Sequence, residues 1–205
     1  LNKIINMIHF QIRNFVFIFL LCDAASAVFQ PADRAALKSA VDACLQSDDT
    51  GITCVKDGYN ISTWDTSNVE DMSSMFYGAQ KFNADLSNWN VAKVTDMTWM
   101  FSQASNFNGD ISNWNVAKVT DMGGMFNRAS NFNGDLSNWN VAKVTDMSYM
   151  FVFAQKFNAD LSHWNVAKVT NMYGTFGYAS SFNGDISNWN VAKVTNMYGT
   201  FGYAS

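Results

Sequence analysis

Proline occurs once in 205 residues and glycine 12 times, which excludes a collagen and a Pro-rich linker protein. Charge is scarce as well. Asp, Glu, Lys and Arg make up 15% of the chain, where a globular domain carries about a quarter. With 13 Lys+Arg against 17 Asp+Glu the formal charge is −4, so the chain has no basic footprint for a phosphate backbone, and a nucleic-acid partner is not expected. Histidine occurs twice and cysteine three times, without zinc-ligand spacing, a phosphate loop or a dinucleotide fingerprint. His9 lies in an N-terminal apolar leader, and His163 merely occupies an Asn position of a pattern in which every Ser recurs as part of the repeat. No catalytic constellation is legible, so an enzyme is not expected, nor a metal or other cofactor. Apolar residues are nevertheless 48% of the chain, enough for a packed core and too many for a disordered tail, and Asn stands where charge is missing.

The first 27 residues read as a secretory signal peptide. Lys3 and Arg13 supply the positive region, Phe15 to Leu21 the apolar run, and Ala25-Ser26-Ala27 the small-residue site, with cleavage expected before Val28. A retained anchor is the alternative; the apolar run is short for a membrane span, and none is expected in the mature chain. A lipid anchor on Cys22 is weaker, because Phe-Leu-Leu precedes it. The chain is thus expected to be secreted or on the cell surface. In that compartment Cys44 and Cys54, with nine residues between them, are expected to pair, two free thiols being the alternative. Asn60-Ile61-Ser62 is a glycosylation sequon just beyond.

The dominant feature is a repeat. Trp64, Trp89, Trp114, Trp139, Trp164 and Trp189 recur every 25 residues, so residues 64–205 are six copies, the last incomplete. In the copy at Trp89, Met97, Met100, Phe101 and Ala104 fall at i, i+3, i+4, i+7, which predicts a short helix with Thr95 as N-cap and Asp96 in its first turn. Trp89 and Val91 alternate with Asn88 and Asn90, which predicts a very short strand with Trp facing inward. Neither apolar face is covered within one copy. Stacking at about 4.8 Å buries like on like, and six copies span roughly 25–30 Å. The expectation is an α/β repeat solenoid, a leucine-rich-repeat-like stack of short parallel strands and short helices.

The run Val144-Thr-Asp-Met-Ser-Tyr-Met-Phe151, followed by Phe157-Asn and Asp160-Leu-Ser, resembles the repeat of BspA-type leucine-rich-repeat surface proteins, also met in mycoplasma lipoprotein-like proteins. The resemblance covers residues 64–205 in every copy. It implies an exported or surface-displayed chain whose role is interaction or adhesion, with no catalytic residues in the repeat. Departures from the pattern are Thr66 for Val, His163 for Asn, and Thr175 and Thr200 for the second Met.

Residues 28–63 lie outside the repeat. Asp33 can cap a helix carrying Ala36, Leu37, Ala40, Val41, Cys44 and Leu45 on one face. This segment is expected to be an N-terminal helical cap with a disulfide loop, an independent interaction helix being the alternative. At the other end, residues 164–180 and 189–205 are identical and Phe201 and Tyr203 are unshielded. A fragment or a truncated array is expected, and the open end allows end-to-end self-association.

Three surface columns are candidates. The Asn-rich strand face comprises Asn88, Asn90, Asn113, Asn115, Asn138, Asn140, His163, Asn165, Asn188 and Asn190. It either binds an extracellular protein or a polysaccharide, or serves only as stabilising ladders. Asp85, Asp110, Asp135, Asp160 and Asp185 form a second column, read as turn-holding residues in preference to a calcium track. Lys93, Lys118, Lys143, Lys168 and Lys193, each three residues before Asp96, Asp121, Asp146, Asn171 or Asn196, form a third. It reads as a solvated ladder of alternating sign, an anionic-glycan track being the alternative. Trp99, off the period, is the aromatic expected to be exposed.

Overall fold

The computed structural model describes residues 28–204; the expected signal peptide, with His9 and Cys22, lies outside the described residues. Chain entry is through Phe29, whose carbonyl accepts from the Asp65 N–H (3.0 Å) and whose ring meets Trp64 at 4.9 Å. The α-helix α1 spans Arg34–Ser47. Asp33 caps it in extended conformation, its carboxylate accepting from the Ala36 N–H at 2.9 Å. The expected apolar face is the buried one: Leu37, Ala40, Val41 and Cys44. Leu37 and Val41 are fully buried, each worth about 1.5–3 kcal/mol of transfer. Arg34 ties the helix to the first copy, donating to the Ser73 carbonyl at 2.7 Å with Asp71 3.4 Å away.

The helix stops at Asp48, where the carboxylate gathers the next turn by accepting from the N–H and hydroxyl of both Thr50 and Thr53. Those bonds hold its carboxyl well below the usual carboxylate range. A disulfide joins Cys44 and Cys54, their Cα atoms 5.2 Å apart. Inside the loop Gly51 has φ +73°, and a Cβ there would lie 2.5 Å from the Phe82 ring, so only glycine lets the loop settle onto the first copy. A two-residue hairpin follows, β1 (Val55–Lys56) antiparallel to β2 (Tyr59–Asn60), then a 3-10 turn at Ile61–Thr63.

The expected architecture of the repeat is overturned. Among the described residues α1 is the α-helix and β1–β2 the sheet. The copies contain neither the short helices nor the parallel strands of an α/β solenoid, and like positions touch only as isolated parallel bridges, Asp71↔Asp96↔Asp121↔Asp146↔Asn171↔Asn196. The reason lies in where the backbone N–H groups go. Across the segment expected to be helical, Met100, Ser102 and Ala104 donate back three residues to Met97, Trp99 and Phe101. Met97, Trp99, Phe101 and Gln103 instead donate forward to the next copy, at Asp121, Gly123, Met125 and Asn127 (2.7–3.0 Å). Trp99 (φ +57°) and Gln103 (φ +63°) are left-handed, which no helix interior allows. Thr95 is therefore no N-cap; its hydroxyl donates to the Glu70 carbonyl one copy back (3.2 Å). The expected strand is two successive turns, Trp89 N–H to the Leu86 carbonyl and Val94 N–H to the Val91 carbonyl.

Each copy is thus a coil of linked turns, and its apolar residues point inward as the periodicity implied. Met97, Met100, Phe101, Ala104, Val94 and Leu86 are fully buried, as are their equivalents in the central copies. Like rings stack along the array: Trp139 on Trp164 at 6.5 Å, Phe101 on Phe126 at 5.7 Å, Phe107 on Phe132 at 5.9 Å. Each Trp also satisfies its indole N–H on a carbonyl of the preceding turn, Trp89 to Ile61, Trp114 to Leu86, Trp139 to Ile111, Trp164 to Leu136 and Trp189 to Leu161 (2.9–3.0 Å). The departures fit the same rule. Thr66 donates to the Asn90 carbonyl, Thr175 to Met147 and Met172, and Thr200 to Met172 and Met197. Each polar replacement in the core has a partner.

Candidate functional site

All ten residues of the Asn-rich row are exposed and share one side of the array. Half of them have a definite local task. The side-chain carbonyls of Asn90, Asn115, Asn140, Asn165 and Asn190 accept from the N–H of Ala92, Ala117, Ala142, Ala167 and Ala192 at 3.1–3.2 Å. These are Asx turns. They orient the amide, and its NH2 has no partner among the described residues, so a row of fixed donors faces solvent at one per copy. Around Asn113, Asn115, Asn138 and Asn140 the surface dips into a shallow groove of about 300 Å³, with Ser112 at its side. His163 is exposed, replacing one amide of the row.

The Asp column is occupied by structure. Asp85, Asp110, Asp135, Asp160 and Asp185 each accept from the N–H two residues on, at Ser87, Ser112, Ser137, Ser162 and Ser187 (2.9–3.0 Å). That bond lowers the carboxyls of Asp110, Asp160 and Asp185 below their ordinary value. Among the described residues no group of three or more His, Cys, Asp or Glu is placed to hold a metal ion. The column lysines are exposed, and none joins an ion pair among the described residues; Lys93 reaches only the Asn68 amide oxygen, at 3.4 Å. The alternating-sign ladder is therefore a row of separate solvated charges.

A different carboxylate row, at the bridge positions Asp71, Asp96, Asp121 and Asp146, is half-buried. Each accepts from the N–H two residues on. Burial pushes the Asp121 carboxyl up; the Gly123 N–H works against this, and Asp146 and Asp96 add to it. The row is relieved at its ends by Arg34 beside Asp71 and by the Asn171 amide donating to Asp146 at 2.8 Å.

At Asn60, the sequon residue, the side-chain Nδ2 to which a glycan would be attached donates to the Ile52 carbonyl at 3.1 Å, and Oδ1 accepts from Ser62. Trp99 is partly exposed and lies flat over Gly124 of the next copy. Sequence reasoning missed a groove of about 280 Å³ lined by Tyr149, Tyr173, Tyr178, Tyr198 and Tyr203 over four glycines. Its signal was present: aligned copy on copy, the residues that vary most are those at positions 98, 99, 102 and 103 and their equivalents, and in the last two copies they read Tyr-Gly and Gly-Tyr.

The family described as "Mycoplasma protein of unknown function, DUF285" matches at residues 51–152 and again at 113–205. Together the two matches take in the whole array and the last residues of the disulfide loop. No curated protein and no solved structure matches the chain.

Proposed function

Since the chain belongs to the DUF285 family, which assigns no activity, we propose that it is a non-enzymatic interaction module, secreted or displayed on the cell surface, that binds an extracellular polysaccharide or protein along its Asn-rich row. The observation that supports this reading is the set of Asx-turn amides at Asn90, Asn115, Asn140, Asn165 and Asn190. Each is immobilised through its oxygen and keeps its NH2 for a ligand. Ordering entropy has therefore been lost on folding rather than on binding. A regular, uncharged donor row suits a polymer whose acceptors also recur: sugar hydroxyls and acetamido groups, or the carbonyls of an extended peptide. Affinity in such a row accumulates by multivalency rather than by any single strong contact. No helix among the described residues is long and apolar enough to cross a membrane. Adhesion, as the resemblance to BspA-type repeats implies, belongs to this proposal.

The test separates the amide donor from the turn it supports. Asp65 occupies the same position in the first copy and holds the same turn, accepting from the Ser67 N–H at 2.9 Å. Asn140→Asp therefore preserves the turn and deletes the donor. Glycan-array and matrix-protein binding by the wild-type protein should give a ligand whose affinity falls at least several-fold in Asn140→Asp, with an unchanged circular dichroism spectrum. Undiminished affinity refutes the face; no ligand in either panel refutes the module.

A further inference from the structure

The array fills one of its own surface slots twice and leaves it open once. Position 99 and its equivalents run Trp99, Gly124, Tyr149, Gly174, Gly199, and all five are left-handed. The Trp99 ring covers Gly124 so closely that a Cβ there would sit 2.2 Å from it, and reaches towards Tyr149 at 6.0 Å. The Tyr149 ring in turn lies over Gly174, 3.5 Å from where its Cβ would be. Above Gly199 the sequence supplies no ring, because the preceding copy carries Gly174. A Cβ on Gly199 would meet nothing within 4 Å.

The open slot is bounded rather than bare. On one side Tyr173 stacks on Tyr198 at 5.6 Å, and on the other Tyr178 stacks on Tyr203 at 4.8 Å. Gly174, Gly177, Gly199 and Gly202 form the floor, and no charged side chain lines the space. Its volume, about 280 Å³, falls just under the range of drug-sized ligand pockets and fits one ring with its attachment. In both filled cases the covering ring comes from the preceding copy, Trp99 over Gly124 and Tyr149 over Gly174.

We propose that this tyrosine-walled slot is a binding site for an aromatic side chain, Trp or Tyr, of a partner polypeptide, received over Gly199 as Tyr149 is received over Gly174. The site is separate from the Asn-rich row and does not depend on it. Aromatic anchors seated in preformed pockets dominate the energetics of many protein interfaces, and the phenolic hydroxyls at the rim can take the backbone carbonyls flanking such an anchor.

The chain supplies its own control. Gly174 has φ +63°, and Tyr149 (φ +58°) and Trp99 (φ +57°) already hold that conformation with a full side chain. Gly174→Trp should therefore fold and lay its own ring over Gly199. In amide-detected NMR of the whole protein, N-acetyl-tryptophanamide and N-acetyl-tyrosinamide should shift the Gly174, Gly177, Gly199 and Gly202 resonances saturably. N-acetyl-leucinamide should bind at least tenfold more weakly. Gly174→Trp should abolish the shifts while its remaining spectrum overlays the wild type, and Tyr198→Ala, at a side chain 75% exposed, should weaken binding about fivefold without a stability change. Equal binding of the leucine compound, retention of binding in Gly174→Trp, or shifts produced by neutral oligosaccharides and not by the aromatic amides would each overturn the assignment. Concentration-dependent line broadening without added probe would do the same by identifying a second copy as the occupant.

Discussion

Replacing Asp121 by Asn should stabilise the array, and the size of the effect follows from the bridge geometry. Asp121 is bridged on one side to Asp96 and on the other to Asp146, so its carboxylate lies about one strand spacing, about 5 Å, from each. Two such repulsions amount to about 1.6 kcal/mol at the dielectric of water, and screening at a Debye length near 10 Å reduces them to about 1 kcal/mol. The backbone contact survives, because the Asn oxygen can still accept from the Gly123 N–H, now 2.9 Å from Asp121. The new NH2 can donate to Asp146, as the Asn171 amide does at 2.8 Å from the other side, which adds a charge-assisted bond. A net gain of about 1–2 kcal/mol corresponds to roughly 3–6 °C for a chain of this length. The gain must depend on pH. Burial and the neighbouring carboxylates raise the Asp121 carboxyl above its ordinary 3.8, so folding favours its neutral form. The wild type carries no penalty below about pH 3.8 and the full penalty once the pH exceeds the raised folded value. Thermal melts of both proteins at pH 3 and pH 7, with and without 1 M salt, test this. A gain as large at pH 3 as at pH 7, a gain untouched by salt, or destabilisation at pH 7 would refute the reasoning.

Other expectations concern the cap and the core. Reducing the Cys44–Cys54 bond should cost about 2–3 kcal/mol for so short a loop, read as a fall in denaturation midpoint with dithiothreitol and as new protease cleavage within residues 48–54. Gly51→Ala meets both a positive φ and the Phe82 ring, and should destabilise by about 1–3 kcal/mol in urea melts while leaving the disulfide formed. Trp139→Phe removes the donor to the Ile111 carbonyl and opens a void beside Trp164; a loss of about 2–4 kcal/mol is expected by chemical denaturation. Asp48→Ala deletes the acceptor for Thr50 and Thr53 and should speed amide exchange at those residues. Because the Asp48 carboxyl is depressed, its contribution is present at neutral pH and fades only as acid titrates it below the ordinary carboxylate range.

What could be read from the sequence was burial, and what could not was backbone conformation. Spacing at i, i+3, i+4, i+7 placed Met97, Met100, Phe101 and Ala104 inside correctly, yet it could not distinguish a helix from a chain of i to i+3 turns, since both return a residue to the same side about every three to four positions. The tie was broken by partners that no single copy contains, the carbonyls of Asp121, Gly123, Met125 and Asn127 one copy on. A helix would have kept those bonds to itself and left the stacked copies without a backbone connection. Left-handed Trp99 and Gln103 were equally hidden, because neither is a residue type that marks that conformation. α1 was legible to its cap, Asp33, because its hydrogen bonds are local. The Asn row was legible as a surface, whereas its Asx turns were not, and the tyrosine slot was not legible because it is built from the residues that differ between copies.

Repetition and function pull on different residues here. Positions that recur unchanged, Trp, Met, Phe and the turn-holding Asp and Asn, recur because each copy must bond to and stack on its neighbours and close its own turns. A stack needs no more than that, so constancy between copies is explained without any ligand. The positions at 98, 99, 102 and 103 and their equivalents are under no such demand: Thr, Gly, Ser and Tyr all fit at the first of them without altering the turn bond beneath, in which an Asp or Asn side-chain oxygen accepts from the N–H two residues on. Chemical individuality along the array is therefore greatest on this one ridge, from Tyr77 and Trp99 near α1 to the tyrosine slot in copies four to six. An interaction that distinguishes one partner from another must use residues that differ. The Asn row, uniform but for His163, supplies chiefly multiplicity, which makes the ridge the place where specificity can reside and the row the place where avidity can.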